Sequence, residues 1–187
     1  MIRKLPGTTI EAANRNAESA RELLDNIFMA GGLVLSQVSG LTGLEPYIVQ
    51  NWVKRGFLSP PQHKKYTKRQ FCRIAIINML RDAIQIDRIV GLLSFINGRL
   101  DDESDDIIDD SQLYVYYIEA VNRVERESDI SDAGEKVRKC VEAAVQGFDE
   151  PFPGAKNRLL KVLAVMVFAH YSAVMKACAE EIIGSID

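Results

Sequence analysis

Two short helical stretches joined by a glycine turn constrain this chain more than any other feature. Gly43 can take the positive φ that ends one helix, and Pro46 suits the first turn of the next. Residues 35–60 are therefore predicted as short helix, tight turn, second helix and a following wing, a helix-turn-helix arrangement. Over 46–55 the apolar residues pair at a spacing of four, Ile48 with Trp52 and Val49 with Val53, which sets them on one flank. Tyr47, Gln50, Asn51 and Lys54 fall at i, i+3, i+4 and i+7 on the opposite flank. Such side chains suit a major groove: Gln or Asn can pair bidentately with adenine, Lys can reach guanine or phosphate, and Tyr can reach phosphate.

Gly56 closes the second helix, and 57–66 contains Pro60 and Pro61, which bar a helical continuation. A wing is the predicted form of this stretch, with Lys64 and Lys65 near its tip and the Tyr66 hydroxyl beside them. These groups, with Arg55, Lys68 and Arg69, are expected to hold the phosphate backbone with little sequence information. Between residues 33 and 72 six bases, Lys54, Arg55, Lys64, Lys65, Lys68 and Arg69, face one acid, Glu45, whereas the whole chain carries a net charge of −3. Positive charge is thus concentrated where a duplex would lie.

The run Gly43-Leu44-Glu45-Pro46-Tyr47-Ile48-Val49-Gln50-Asn51-Trp52-Val53-Lys54-Arg55-Gly56-Phe57-Leu58 resembles the MerR-family pattern of glycine turn, recognition helix and wing entry. Similarity continues through Tyr66-Thr67 into Phe71-Cys72-Arg73-Ile74, and again over 83–93, which resembles the two helices that close a MerR head. About a third of the chain is covered. The whole chain, helical tail included, is also similar to an uncharacterised bacterial family, domain of unknown function 1836, and this resemblance implies a MerR-like DNA-binding head without an established activity. Gln50 and Asn51 stand where the MerR pattern usually has arginine and tyrosine, and Val34 where it has a helix-capping threonine, so no base preference carries over. Gly40 within the first short helix costs about 1 kcal/mol in propensity against alanine.

The rest of the chain reads as all-α support for that unit. Residues 1–32 are expected to hold an N-terminal helix over 8–30, opened by Thr8 with Glu11 in capping-box spacing, with Ile10, Ala13, Ala17, Ala20, Leu24 and Ile27 along a narrow stripe. That helix would pack on the tail or on a second subunit, and Gly31-Gly32 would form a flexible joint. The head spans 33–98, closed by a capped helix from Thr67 with Gln70 and by a helix over 86–97. Residues 99–111 form an acidic linker, whose run Asp101, Asp102, Glu103, Asp105, Asp106, Asp109 and Asp110 reads as solvated and lacks the glycine and terminal glutamate of a calcium loop. Residues 112–187 form a helical tail for dimerisation or sensing, with helices over 112–126, 132–146 and 155–183. Tyr114, Tyr116 and Tyr117 fit either a ligand pocket or, more simply, a core with hydroxyls at its edge.

Composition narrows the function. With 187 residues and 47% hydrophobic content the chain can bury a real core. Its three cysteines, Cys72, Cys140 and Cys178, are scattered without a Cys-x-x-Cys pair, which suits buried thiols in a reducing cytoplasm better than a zinc knuckle or disulfide frame. His63 and His170 have no serine elbow, Glu-x-x-His or phosphate loop around them, and His170 reads as a core histidine, so no enzyme, metal site or cofactor is expected. Between Lys161 and Lys176 no Lys, Arg, Asp or Glu occurs, yet the interval contains His170 and Ser172 and falls short of the roughly 20 residues a bilayer requires, so a core or dimer helix is expected and no membrane span. The amino terminus lacks the apolar region of a secretory signal. The expectation is a cytoplasmic, homodimeric transcriptional regulator that binds double-stranded DNA, with an unidentified small-molecule effector as an option. A protein-interaction module and a ligand-sensing tail are the alternatives.

Overall fold

The structure, a computed structural model, describes residues 3–14, 16–100, 102, 104–127 and 132–186. Among them the chain is mostly helical, with eight helices and four two-residue strands. It opens as a hairpin, not as the helix expected over 8–30. β1 (Arg3–Lys4) pairs antiparallel with β2 (Glu11–Ala12), Lys4 opposite Glu11. The Thr8 hydroxyl donates to the Leu5 carbonyl at 2.9 Å and accepts from the Ile10 N–H at 3.1 Å. Its bonding capacity is used inside the turn, so the spacing that mimics a capping box caps nothing. α1 (Ala17–Phe28) begins instead at Asn16, whose Oδ1 accepts from the Ser19 N–H at 2.8 Å.

β3 (Leu33–Val34) leads directly into α2 (Leu35–Thr42), and Gly43 at φ +71° ends that helix with its N–H on the Ser39 carbonyl. α3 (Pro46–Lys54) follows with Pro46 in its first turn. The chain then leaves α3 through buried Phe57 and Leu58 and returns as β4 (Lys65–Tyr66), antiparallel to β3 with Leu33 opposite Tyr66. Gly31-Gly32 is not a flexible joint. A Cβ on Gly32 would lie 2.7 Å from the Tyr66 carbonyl oxygen, so the missing side chain is what lets the chain approach β4.

α4 (Lys68–Leu80) carries the capping box that its sequence announces: Thr67 Oγ1 accepts from the Gln70 N–H at 3.2 Å and Gln70 Oε1 accepts from the Thr67 N–H at 2.9 Å. Apolar around most of its circumference, α4 is sunk among α2, α5 (Ile86–Asn97), α6 (Asp110–Arg126) and α8 (Ala155–Gly184). The Asn78 amide also donates to the Gly7 and Thr42 carbonyls at 2.9 and 3.0 Å, tying the N-terminal hairpin and the end of α2 to it. α6 packs on α4, on α1 and on α7 (Ala133–Ala144). Its Glu119 accepts from the Ala17 N–H at 2.9 Å, placing an acid at the positive end of α1. One continuous hydrophobic core therefore runs from the N-terminal hairpin through the α2–α4 region into the tail.

The tyrosines of α6 belong to that core. Tyr114 and Tyr117 are fully buried with rings 6.5 Å apart, and the Tyr114 hydroxyl donates to the Pro6 carbonyl at 2.6 Å. His170 is half-buried with its ring edge-on to Tyr117 at 6.0 Å. Cys72 and Cys140 are buried, whereas Cys178, expected inside, lies exposed on the outer half of α8. Two glycines give opposite expectations in chemical denaturation. Gly32→Ala is expected to cost about 1–3 kcal/mol by forcing β3 and β4 apart. Gly40→Ala, with nothing within 4 Å of the new Cβ, is expected to raise stability by about 0.5–1 kcal/mol.

Candidate nucleic-acid interface

The residues singled out on the second short helix share one solvent-facing row. Burial of Val49 and Trp52 fixes the rotation of α3, and Tyr47 (67% exposed), Gln50, Asn51 and Lys54 all face outward in consequence. Arg55, which follows, is exposed too. Its guanidinium lies 4.3 Å from the centre of the Phe57 ring and 3.4 Å from Asp87 Oδ1, an exposed pair that water screens.

Beside this row the 57–66 stretch ends in a tight turn. The Lys65 N–H donates to the Gln62 carbonyl at 2.8 Å, and the two residues between, His63 at φ +48° and Lys64 at φ +64°, are both left-handed. That is the type I′ geometry that suits the twist of paired strands. It sets Lys64 and Lys65 in solvent on a short, defined support. The base of the turn is anchored by Gln70, whose Nε2 lies 2.9 to 3.0 Å from the Ser59 carbonyl, the Ser59 hydroxyl and the Pro60 carbonyl.

Three of the expected phosphate contacts lie elsewhere. Tyr66 is 3% exposed, part of the core, and burial pushes its hydroxyl pKa up. Its place in the β3–β4 pair turns the ring inward, because successive strand residues face opposite sides. Lys68 is half-exposed and its Nζ sits 2.7 Å from Asp25 Oδ1 on α1. Arg69 is largely enclosed and bonded to Asp106, with Asp109 and Asp110 each at 3.8 Å. The acids responsible belong to the stretch expected as a solvated linker. Its second half is instead folded onto α4: Ile107 and Ile108 are buried, and the Ile107 N–H donates to the Ile96 carbonyl at 2.9 Å. Asp101 and Glu103 lie outside the described residues.

A buried ion pair, which the sequence reading did not single out, sits beneath this surface. Arg73, 4% exposed on α4, donates from Nε to the Phe57 carbonyl at 3.0 Å and from Nη1 to Asp110 at 3.2 Å. Asp110, 1% exposed in the first turn of α6, also accepts from the Asn97 amide at 2.9 Å. Its carboxyl pKa is raised because burial outweighs the pull of Arg73 and Arg69. The guanidinium thus links the exit of α3 to the start of the tail. A cavity of about 380 Å³ opens beside it, lined by Ser59, Pro60, Gln62, Arg69, Gln70 and Asp110 among others. The available signal was a lone arginine inside an otherwise apolar helix, with an acid at the start of a later one.

No group of three or more metal-ligating side chains is assembled among the described residues. Arg73→Ala leaves the Asp110 carboxylate buried without its cation, and is expected to cost about 3–5 kcal/mol in urea denaturation at neutral pH. The folded-state pKa of Asp110 is already raised above 3.8 and would rise further, so its contribution favours folding at low pH and fades as pH rises through the folded value. The deficit of the variant should shrink between pH 7 and pH 4. A deficit that stays constant over that range would show that Asp110 is not its source.

The family model described as Domain of unknown function (DUF1836) matches residues 23–117, which hold α2, α3, the turn, α4 and α5 together with parts of α1 and α6. The chain is 23% identical over 163 residues to the uncharacterized protein YkrK of Bacillus subtilis (strain 168), a match covering 81% of this chain and 69% of that protein. No solved structure matches it.

Proposed function

The chain belongs to the DUF1836 family, and we propose that it is a non-enzymatic, DNA-binding transcriptional regulator whose residues 33–98 form a MerR-like winged helix-turn-helix. The observation that carries this reading is the exposed row Tyr47, Gln50, Asn51 and Lys54 on α3, beside the turn that holds Lys64 and Lys65 in solvent. A helix of nine residues, about 14 Å long, can enter a major groove about 12 Å wide and set three or four side chains against base edges. Gln50 and Asn51 have the paired donor and acceptor for adenine, and Lys54 the donor for guanine or phosphate. Lys64, Lys65 and Arg55 supply charge without sequence information. As a homodimer, the protein would present two such rows to a pseudo-palindromic site, and it would act in the cytoplasm, where bacterial DNA lies.

Purified protein is incubated with random duplexes across a salt series, and what it retains is sequenced. Enrichment of a two-fold site is expected. Lys64→Ala with Lys65→Ala should weaken binding to every sequence and reduce the salt slope by roughly 2. Gln50→Ala or Asn51→Ala should instead lower discrimination at one base position by about 1–3 kcal/mol. Arg69→Ala, its guanidinium held by Asp106, should leave the salt slope unchanged. No retention at low salt would hand the α3 row to a protein partner.

A further inference from the structure

α7 and α8 pack together but leave a groove open between them. On α7, Gly134, Arg138 and Val141 follow at spacings of four and three, and on α8, Leu160, Ala164 and Phe168 follow at spacings of four. Each set therefore lies along one helix face, and the two faces border a cavity of about 400 Å³. Small residues keep it open. Ala164 ends at its Cβ, and a Cβ on Gly134 would meet only Asp132 Oδ1 within 4 Å. By length and composition α8 could cross a bilayer, but the half that lines the groove buries Leu159, Val162, Leu163, Met166 and Val167 in the body, so this wall belongs to the folded core.

The walls are apolar in the main. Val141 is buried, Leu160 and Ala164 are half-buried, and Phe168, 46% exposed, leaves its ring available. A volume of this size lies within the range of about 300–1,000 Å³ typical of small-molecule sites, which join an apolar lining to a few polar groups. Here those groups are cations. Arg138 and Lys161 both line the groove, both are exposed, and neither makes an ion pair among the described residues. That is unlike their surroundings: Lys139, next in sequence, sits 2.7 Å from Glu135, and the bases of the cavity beside Arg73 are held by Asp106 and Asp110. Glu142 is the one acid among the lining residues, so two bases against one acid leave the groove at +1.

We propose that this groove binds a small aromatic carboxylate, with its ring system against Leu160, Ala164 and Phe168 and its carboxylate on Arg138 and Lys161. Each half of the ligand answers one feature of the site. A guanidinium and an ammonium without acids of their own take a carboxylate through charge-assisted hydrogen bonds. An exposed aromatic ring over an apolar floor takes a flat ring system. From Leu160 to Phe168 the floor runs about 12 Å, which suits two fused rings with a carboxylate and is too short for a long acyl chain. A polyphosphate would bring more charge than +1 can balance and would meet Glu142, and an organic cation would meet Arg138 and Lys161.

The proposal does not rest on what α3 binds, and its test uses the full chain without DNA. Calorimetric titration with 2-naphthoate is expected to show one site per chain with a Kd of about 100 µM or tighter. The uncharged analogue 2-naphthalenemethanol should bind at least about tenfold more weakly. Arg138→Gln and Lys161→Gln should each weaken the acid about tenfold and leave the alcohol unchanged, whereas Phe168→Ala should weaken both. All three side chains are exposed, so the helical circular dichroism of each variant should match wild type. No saturation by 2-naphthoate below about 1 mM, equal affinity for acid and alcohol, or acid binding that survives Arg138→Gln with Lys161→Gln overturns the proposal. A chain that selects its duplex yet ignores 2-naphthoate loses this site alone and keeps the DNA-binding reading.

Discussion

The enclosure of α4 is the constraint from which the rest of this architecture follows. A helix apolar around most of its circumference has little face to give to water, so it must be largely surrounded. Here α2, α5, α6, α8 and the N-terminal hairpin do so, which is why the α2–α3 region and the tail share one core. The cation buried deepest on it, Arg73, needs a carboxylate in the same enclosure, because an unpaired buried charge is prohibitively costly. Asp110 supplies it from the first turn of α6, and the Phe57 carbonyl accepts from Nε of the same guanidinium. The point where the chain leaves α3 is thereby fixed relative to the start of the tail.

The presentation of the outer surface follows from the same helix. The first turn of α4 holds the loop before it through Gln70, whose amide reaches Ser59 and Pro60 while its oxygen closes the Thr67 cap. That loop ends in the left-handed His63-Lys64 pair, so two lysines stand on a support anchored at its base. Electrostatics then divides the bases of 33–72 into two classes. Lys54, Arg55, Lys64 and Lys65 remain on the outside, whereas Lys68 is paired with Asp25 and Arg69 is absorbed by Asp106, Asp109 and Asp110. The acidic stretch is thus a strap on α4. It removes charge next to the turn while leaving the α3 row untouched.

Local rules made most of the helices legible. Gly43 and Pro46 mark the turn between α2 and α3, Thr67 with Gln70 marks the start of α4, and Gly98 follows the end of α5. The same rule misled at Thr8 and Glu11, where a hairpin of two-residue strands is too short to show a period and the threonine hydroxyl turns to its own loop. What could not be read was long-range pairing. Arg69 and Asp106, Arg73 and Asp110, Tyr66 and Leu33 are each more than thirty residues apart, and no spacing within a helix announces which acid will find which base. The α3 row was readable because exposure on one helix follows from burial of its opposite flank. The fate of Tyr66, Lys68 and Arg69 was not, because it was set by β3, α1 and the acidic strap.

α8 shows why apolar content by itself is a poor guide to what a helix touches. Its apolar residues occupy two faces that succeed one another along its length, one sealed in the body and one following a three-four repeat in solvent.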